Sequence, residues 1–169
     1  MYTRIHRAKS VVAWLSVGLL LGGTGHRAAA AERTVDRAQV PVAVLRAVAE
    51  RYPQGQMSHF VQEVEHSKTV YEIQVDSGPN HADVTVSPDG KIQTEERTIS
   101  IDEIPAAVRS QFAKSRFRKG KIVRAEQVTR TSASIATYEL VVALSGAKYE
   151  LAYKENGRPI SEERVRDED

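Results

Sequence analysis

The sequence predicts an α+β protein of two tandem units, each a helix packed on a four-stranded antiparallel sheet. Three observations carry that prediction. "SPDGKIQTEER" (Ser87 to Arg97) returns as "YKENGRPISEER" (Tyr153 to Arg164): Asp89-Gly90 answers Asn156-Gly157, and Glu95-Glu96-Arg97 answers Glu162-Glu163-Arg164, each 67 positions later. Each half opens on a proline followed by apolar residues at helical spacing. Each then switches to strict apolar/polar alternation, the mark of strands with one buried face.

The chain has 169 residues, enough for one ordinary domain or two small ones. Residues 1–31 read as an export signal. Arg4, Arg7 and Lys9 precede the apolar run "VVAWLSVGLLLGG", and Ala28 to Ala31 supply small residues for cleavage. The run is too short to span a bilayer, which takes about 20 apolar residues. No transmembrane anchor is expected to remain after cleavage, and the expected location is periplasmic or secreted. The formal charge is +2, but four of the 24 basic residues lie in this leader, which has no acid. Setting them aside leaves 20 basic against 22 acidic, a net of −2, so attraction to nucleic acid is not implied. There is no cysteine. That excludes disulfides, thiolate metal sites, cysteine nucleophiles and a lipid-modified cysteine.

Residues 32–39 are expected to form a linker, 40–99 the first unit, 100–166 the second and 167–169 a tail. In the first unit Val40-Pro41 opens a helix whose stripe is Val44, Val48 and Tyr52. In the second, Ile104-Pro105 opens one carrying Val108 and Phe112, with Asp102 and Glu103 ahead of the proline suited to a helix start. Gly55 and Gly120 follow as stops. "SHFVQEVEH" and "KIVRAEQVT" supply a first strand to each unit. "VYEIQVD" and "YELVVAL" supply a second, "HADVTV" and "YELAY" a third. Asp76 to Asn80 and Ser145-Gly146 turn between the second and third strands, Asp89-Gly90 and Asn156-Gly157 between the third and fourth.

The stretches "VPVAVLRAVAERYPQG…VYEIQV…DVTVSPDGKI" and "IPAAVRSQFAKSRFRKG…YELVVAL…YELAYKENGRPI" resemble the PepSY-like family, in particular its exported, β-lactamase-inhibitor-like proteins. The resemblance covers nearly all of the chain after residue 31 and rests on structural motifs. It implies a small non-enzymatic domain outside the cytoplasm that binds or restrains peptidases and other secreted hydrolases, or serves as an envelope binding module. The β-lactamase inhibitor itself has disulfide-bearing domains. This chain has no cysteine, so inhibition of a β-lactamase is not carried over.

No G-x-S-x-G, H-E-x-x-H or phosphate-binding glycine loop occurs. No enzyme activity, cofactor or metal is predicted. His59 and His66 fall an odd number apart on one strand and cannot share a metal. Glu72, Asp83, Glu139 and Glu150 fall on the polar faces of alternating strands and are expected to be solvated charge. Two surfaces are candidates for partner binding. One is the hairpin tip with Asp76, Asn80 and His81. The other lies in a run of six basic residues without an acid, Lys114 to Arg124, with Arg116, Arg118, Lys119 and Lys121 as its candidate contacts. The expected function is an exported binding module that inhibits or regulates a secreted or envelope hydrolase. The alternative is an envelope-surface or ligand-sensing protein that holds lipid or polyanion through the basic run.

Overall fold

The computed structural model describes residues 32–165, apart from 66, 79, 134 and 135. The expected export signal and the last four residues lie outside this range. The description comprises nine strands, two short α-helices and two single 3-10 turns, Arg37–Gln39 and Ile101–Glu103. The strands are β1 (Arg33–Val35), β2 (Gln56–Glu65), β3 (Lys68–Ser77), β4 (Asn80–Val86), β5 (Ile92–Thr98), β6 (Lys121–Arg130), β7 (Thr137–Leu144), β8 (Ala147–Lys154) and β9 (Pro159–Val165). The helices are α1 (Val42–Arg51) and α2 (Ala106–Lys114).

The expectation of two separate units, each a helix on its own four-stranded sheet, is overturned. All nine strands form one antiparallel meander in the order β1 to β9, and the protein is mostly β. The joining step pairs β5 with β6, setting Thr94 against Arg130 and Thr98 against Glu126. Two four-stranded sheets would leave two inner edges with unpaired N–H and C=O groups. Pairing β5 with β6 satisfies both at once. A ninth strand, β1, adds to the outer edge of β2 from within the segment expected as a linker. The remaining edges are blunted: β1 has three residues, and β9 carries Pro159 and the charges of Glu162, Glu163 and Arg164.

Prolines 41 and 105 stand at the N-caps of α1 and α2, where a missing N–H costs nothing. Both helices lie on the same face of the sheet. Val44 and Val48 pack on Ile73, Val75, Ala82 and Val84. Val108 packs with Leu140, Val142, Leu151 and Tyr153. Register carries this face across the seam: Ala82 pairs with Arg97, Arg97 with Gln127 and Gln127 with Tyr138. The two apolar clusters do not merge there. Between them Arg97 donates to Gln127 Oε1 at 3.0 Å, and Tyr52 and Arg51 both donate to Glu95 Oε1 at 2.8 Å.

The repeated hairpins turn as expected, and for a shared reason. Gly90 and Gly157 have φ of 88° and 83°, the region where glycine is unstrained. A Cβ on Gly90 would sit 2.7 Å from the carbonyl oxygen of Ala43, and Gly157 meets Ala107 in the same way. Each turn is thus pressed against the start of the helix in its own repeat.

Candidate functional site

The other face of the sheet carries no helix. It holds Glu72 of β3, Asp83 and His81 of β4, Glu96 of β5, Arg124, Glu126 and Arg130 of β6, Glu139 of β7, Glu150 of β8 and Glu163 of β9, as the register dictates. Every strand from β3 to β9 therefore contributes one carboxylate to a single ladder. Three steps of the ladder are direct cross-strand pairs: Asp83 opposite Glu96, Glu126 opposite Glu139, and Glu150 opposite Glu163. The others are diagonal, since Glu72 pairs with Thr85, Glu96 with Val128 and Glu139 with Ala152. Neighbouring strands lie about 4.8 Å apart, and like charges directly opposite destabilise a sheet.

The ladder is built by the duplication. Glu72, Asp83 and Glu96 return as Glu139, Glu150 and Glu163, each 67 positions on. Glu126 has Val61 as its counterpart, because Val61 pairs with Glu72 just as Glu126 pairs with Glu139.

The expectation that Glu72, Asp83, Glu139 and Glu150 are solvated charge holds only in part: all four are half-buried, as is Glu96, while Glu163 on the edge strand is exposed. Glu126 is only 6 % exposed, and Val61, Val70, Val128, Val141 and Ala152 on the same face are also buried. Neither helix packs there, so the burial follows from the sheet itself. Burial pushes Glu96 up to about 8, helped by the charges of Glu139, Glu126, Asp83 and Glu72. Burial and the charges of Glu150 and Glu126 push Glu139 up to about 7. Glu126 and Glu150 are raised chiefly by burial, with Arg124 opposing the rise in both. Arg124 Nε lies 3.3 Å from Glu126 Oε2. Thr137 Oγ1, two residues before Glu139 on this face, is buried without a hydrogen bond among the described residues.

The candidate residues of the hairpin tip divide. Asn80 is exposed at the start of β4. His81 is buried and spans two carboxylates, its Nδ1 2.8 Å from Asp76 Oδ1 and its Nε2 3.3 Å from Asp83 Oδ1. Asp76 and His81 thus extend the acidic face toward the β3–β4 turn. The basic run does not stay together. Arg116 pairs with Glu162 and stacks at 4.7 Å on the ring of Phe117. Arg118 and Lys119 are exposed in the turn after α2. Lys121 and Arg124 enter β6, where Arg124 points onto the opposite face beside Glu126.

Glu96, Glu126 and Glu163 were not among the expected site residues. The signal for two of them was the repeated Glu-Glu-Arg triplet. It marks Glu96 and Glu163 as equivalent positions, with the side-chain period of a strand setting their face. Among the described residues no group of three or more His, Asp or Glu side chains is placed to hold a metal ion, and no helix is long and apolar enough to cross a membrane.

Residues 28–94 and 91–160 each match the family described as "Putative beta-lactamase-inhibitor-like, PepSY-like". The two matches correspond to the two repeats. No curated protein matches the sequence. Among solved structures, the fold is similar to a "putative periplasmic" protein from Bacteroides eggerthii (TM-score 0.65, 19% identity, 75% of this chain and 89% of that one). It is similar to a DUF2874 family protein from Bacteroides uniformis (TM-score 0.64, 19% identity, 74% and 89%). It is also similar to a BLIP-like protein from Bacteroides fragilis (TM-score 0.61, 19% identity, 76% and 89%). At these identities the likeness is one of fold.

Proposed function

The chain belongs to the PepSY-like, β-lactamase-inhibitor-like family, and from that premise we propose that it is a non-enzymatic binding module of the cell envelope. Its working surface is the helix-free face of the sheet, and its partner is a secreted or envelope protein, with hydrolases the first class to test. One observation carries this reading: three pairs of carboxylates stand directly opposed on a face that no helix covers. Each pair lowers stability. A repeat that places acids at the same three positions twice gives up stability where a fold alone would not, and departures of this kind concentrate at functional surfaces.

The location rests on the relatives described as periplasmic. A second reading keeps the exposed Arg118 and Lys119 as the contact, with lipid or polyanion as the partner. That surface is weakened by the commitment of Arg116 to Glu162 and of Arg124 to the other face.

The test is capture from an envelope fraction by three forms of the chain: wild type, Glu126→Gln/Glu139→Gln, and Arg118→Glu/Lys119→Glu. The proposal expects a defined protein that the first and third forms hold and the second releases. Any hydrolase recovered would then be assayed for loss of activity on binding. Capture that survives the face substitutions and fails only when the turn is reversed in charge contradicts the proposal and supports the second reading.

A further inference from the structure

The seam between the repeats differs from the rest of the sheet in what its side chains can contribute. It comprises five residue pairs, from Thr94 opposite Arg130 to Thr98 opposite Glu126. Of the ten side chains involved, only Val128 is apolar. The two hydrophobic clusters stop on either side of it. The seam is therefore held by its backbone ladder, continued by Ile99 N–H to Ala125 O and Thr131 N–H to Gln93 O at 2.9 Å each. Two side chains also cross it: Arg97 donates to Gln127 Oε1, and Thr131 Oγ1 donates to the Ile92 carbonyl at 2.7 Å. A joint with a single buried apolar side chain, Val128, opens locally more readily than the cores it connects.

On the helix-free side the acids of both repeats converge on this joint. Glu96 of β5 faces Asp83 of β4 and Glu72 of β3 from its own repeat, and Glu126 of β6 and Glu139 of β7 from the other. Glu126 in turn faces Asp83 of β4 and Glu150 of β8. The cations on the same face are His81 of β4 and Arg124 and Arg130 of β6, with Lys68 on β3 and Lys148 and Lys154 on β8 farther out. The acids outnumber the arginines at the seam, so each proton lost from it adds repulsion between the repeats.

We infer that the β5–β6 seam is a pH-operated joint, closed while the carboxyls on either side of it share protons and loosened as they ionise. The direction follows from the register, since ionising the acids on the two sides of the seam adds like charge across it. Burial and the neighbouring acids push Glu96 up to about 8 and Glu139 up to about 7, which places the change between roughly neutral pH and pH 8. Opening would widen the helix-free face without unfolding either apolar cluster.

Hydrogen exchange followed residue by residue between pH 6 and pH 8.5, corrected for the intrinsic pH dependence of exchange, tests this. Amides of Thr94–Thr98 and Glu126–Arg130 should lose about tenfold or more in protection over that range, while those of β3 and β8 hold theirs. Glu96→Gln, and independently Glu126→Gln, should flatten the change at the seam. Seam and core amides losing protection in parallel would mean global unfolding and would overturn the inference. So would a seam whose pH response in both variants equals that of the wild type.

Discussion

Replacing Glu96 by Gln should stabilise the fold, and by far more at pH 8 than at pH 4.5. Glu96 is displaced from an ordinary 4.5 to about 8. Below 4.5 both folded and unfolded states hold the proton and the site is neutral in energy. Between 4.5 and 8 the unfolded chain has ionised and the folded chain has not. Stability therefore falls as pH rises through this window, and the full penalty is present above it. At about 1.4 kcal/mol per unit, the displacement corresponds to an upper bound of about 5 kcal/mol. Neighbouring acids share the proton and solvent reaches part of the face, so about 2 kcal/mol is the expected gain for a neutral isostere at pH 8. In a chain of this size that is about 6–8 °C in Tm. Calorimetric melts of wild type and Glu96→Gln at pH 4.5 and pH 8 measure it. Equal shifts at the two pH values, or a loss of stability at pH 8, would refute the reasoning.

Further outcomes follow from the same architecture. Gly90→Ala must place a methyl against the Ala43 carbonyl in a backbone region that alanine resists. It should cost about 1–3 kcal/mol, read as a fall in the urea midpoint. Leu140→Ala, in the core of the second repeat, should cost about 2–5 kcal/mol. Because one sheet joins the repeats, denaturant unfolding at pH 6 should remain a single transition for this variant. Two separated transitions would show that the repeats fold independently.

Much of the secondary structure was legible because it is local. Alternation in "VYEIQV" and "YELVVAL", glycines 90 and 157, and prolines 41 and 105 each act through their own neighbours. The merging of two sheets into one was not legible. Pairing of Thr94–Thr98 with Glu126–Arg130 joins segments about thirty residues apart, and neither carries an apolar pattern that marks it as an inner strand. β1 was missed because Arg33–Val35 is too short to display a period. The carboxylates were visible as alternating residues. Period fixes which side of a strand a residue takes but not what shields that side. Their partial burial comes from Val61, Val128, Val141 and Ala152 set opposite them on adjacent strands, which only the assembled sheet brings together.

The most direct test of the helix-free face as the working surface is carboxyl footprinting of the captured complex. Carbodiimide labelling, read by mass spectrometry, would be compared between the free chain and the chain with its partner. The account predicts that Glu72, Glu139, Glu150 and Glu163 lose labelling on binding, while the exposed Glu50 on α1 and Glu155 in the β8–β9 turn keep theirs. Unchanged labelling along the ladder, with protection at Glu50 or Glu155 instead, would contradict it.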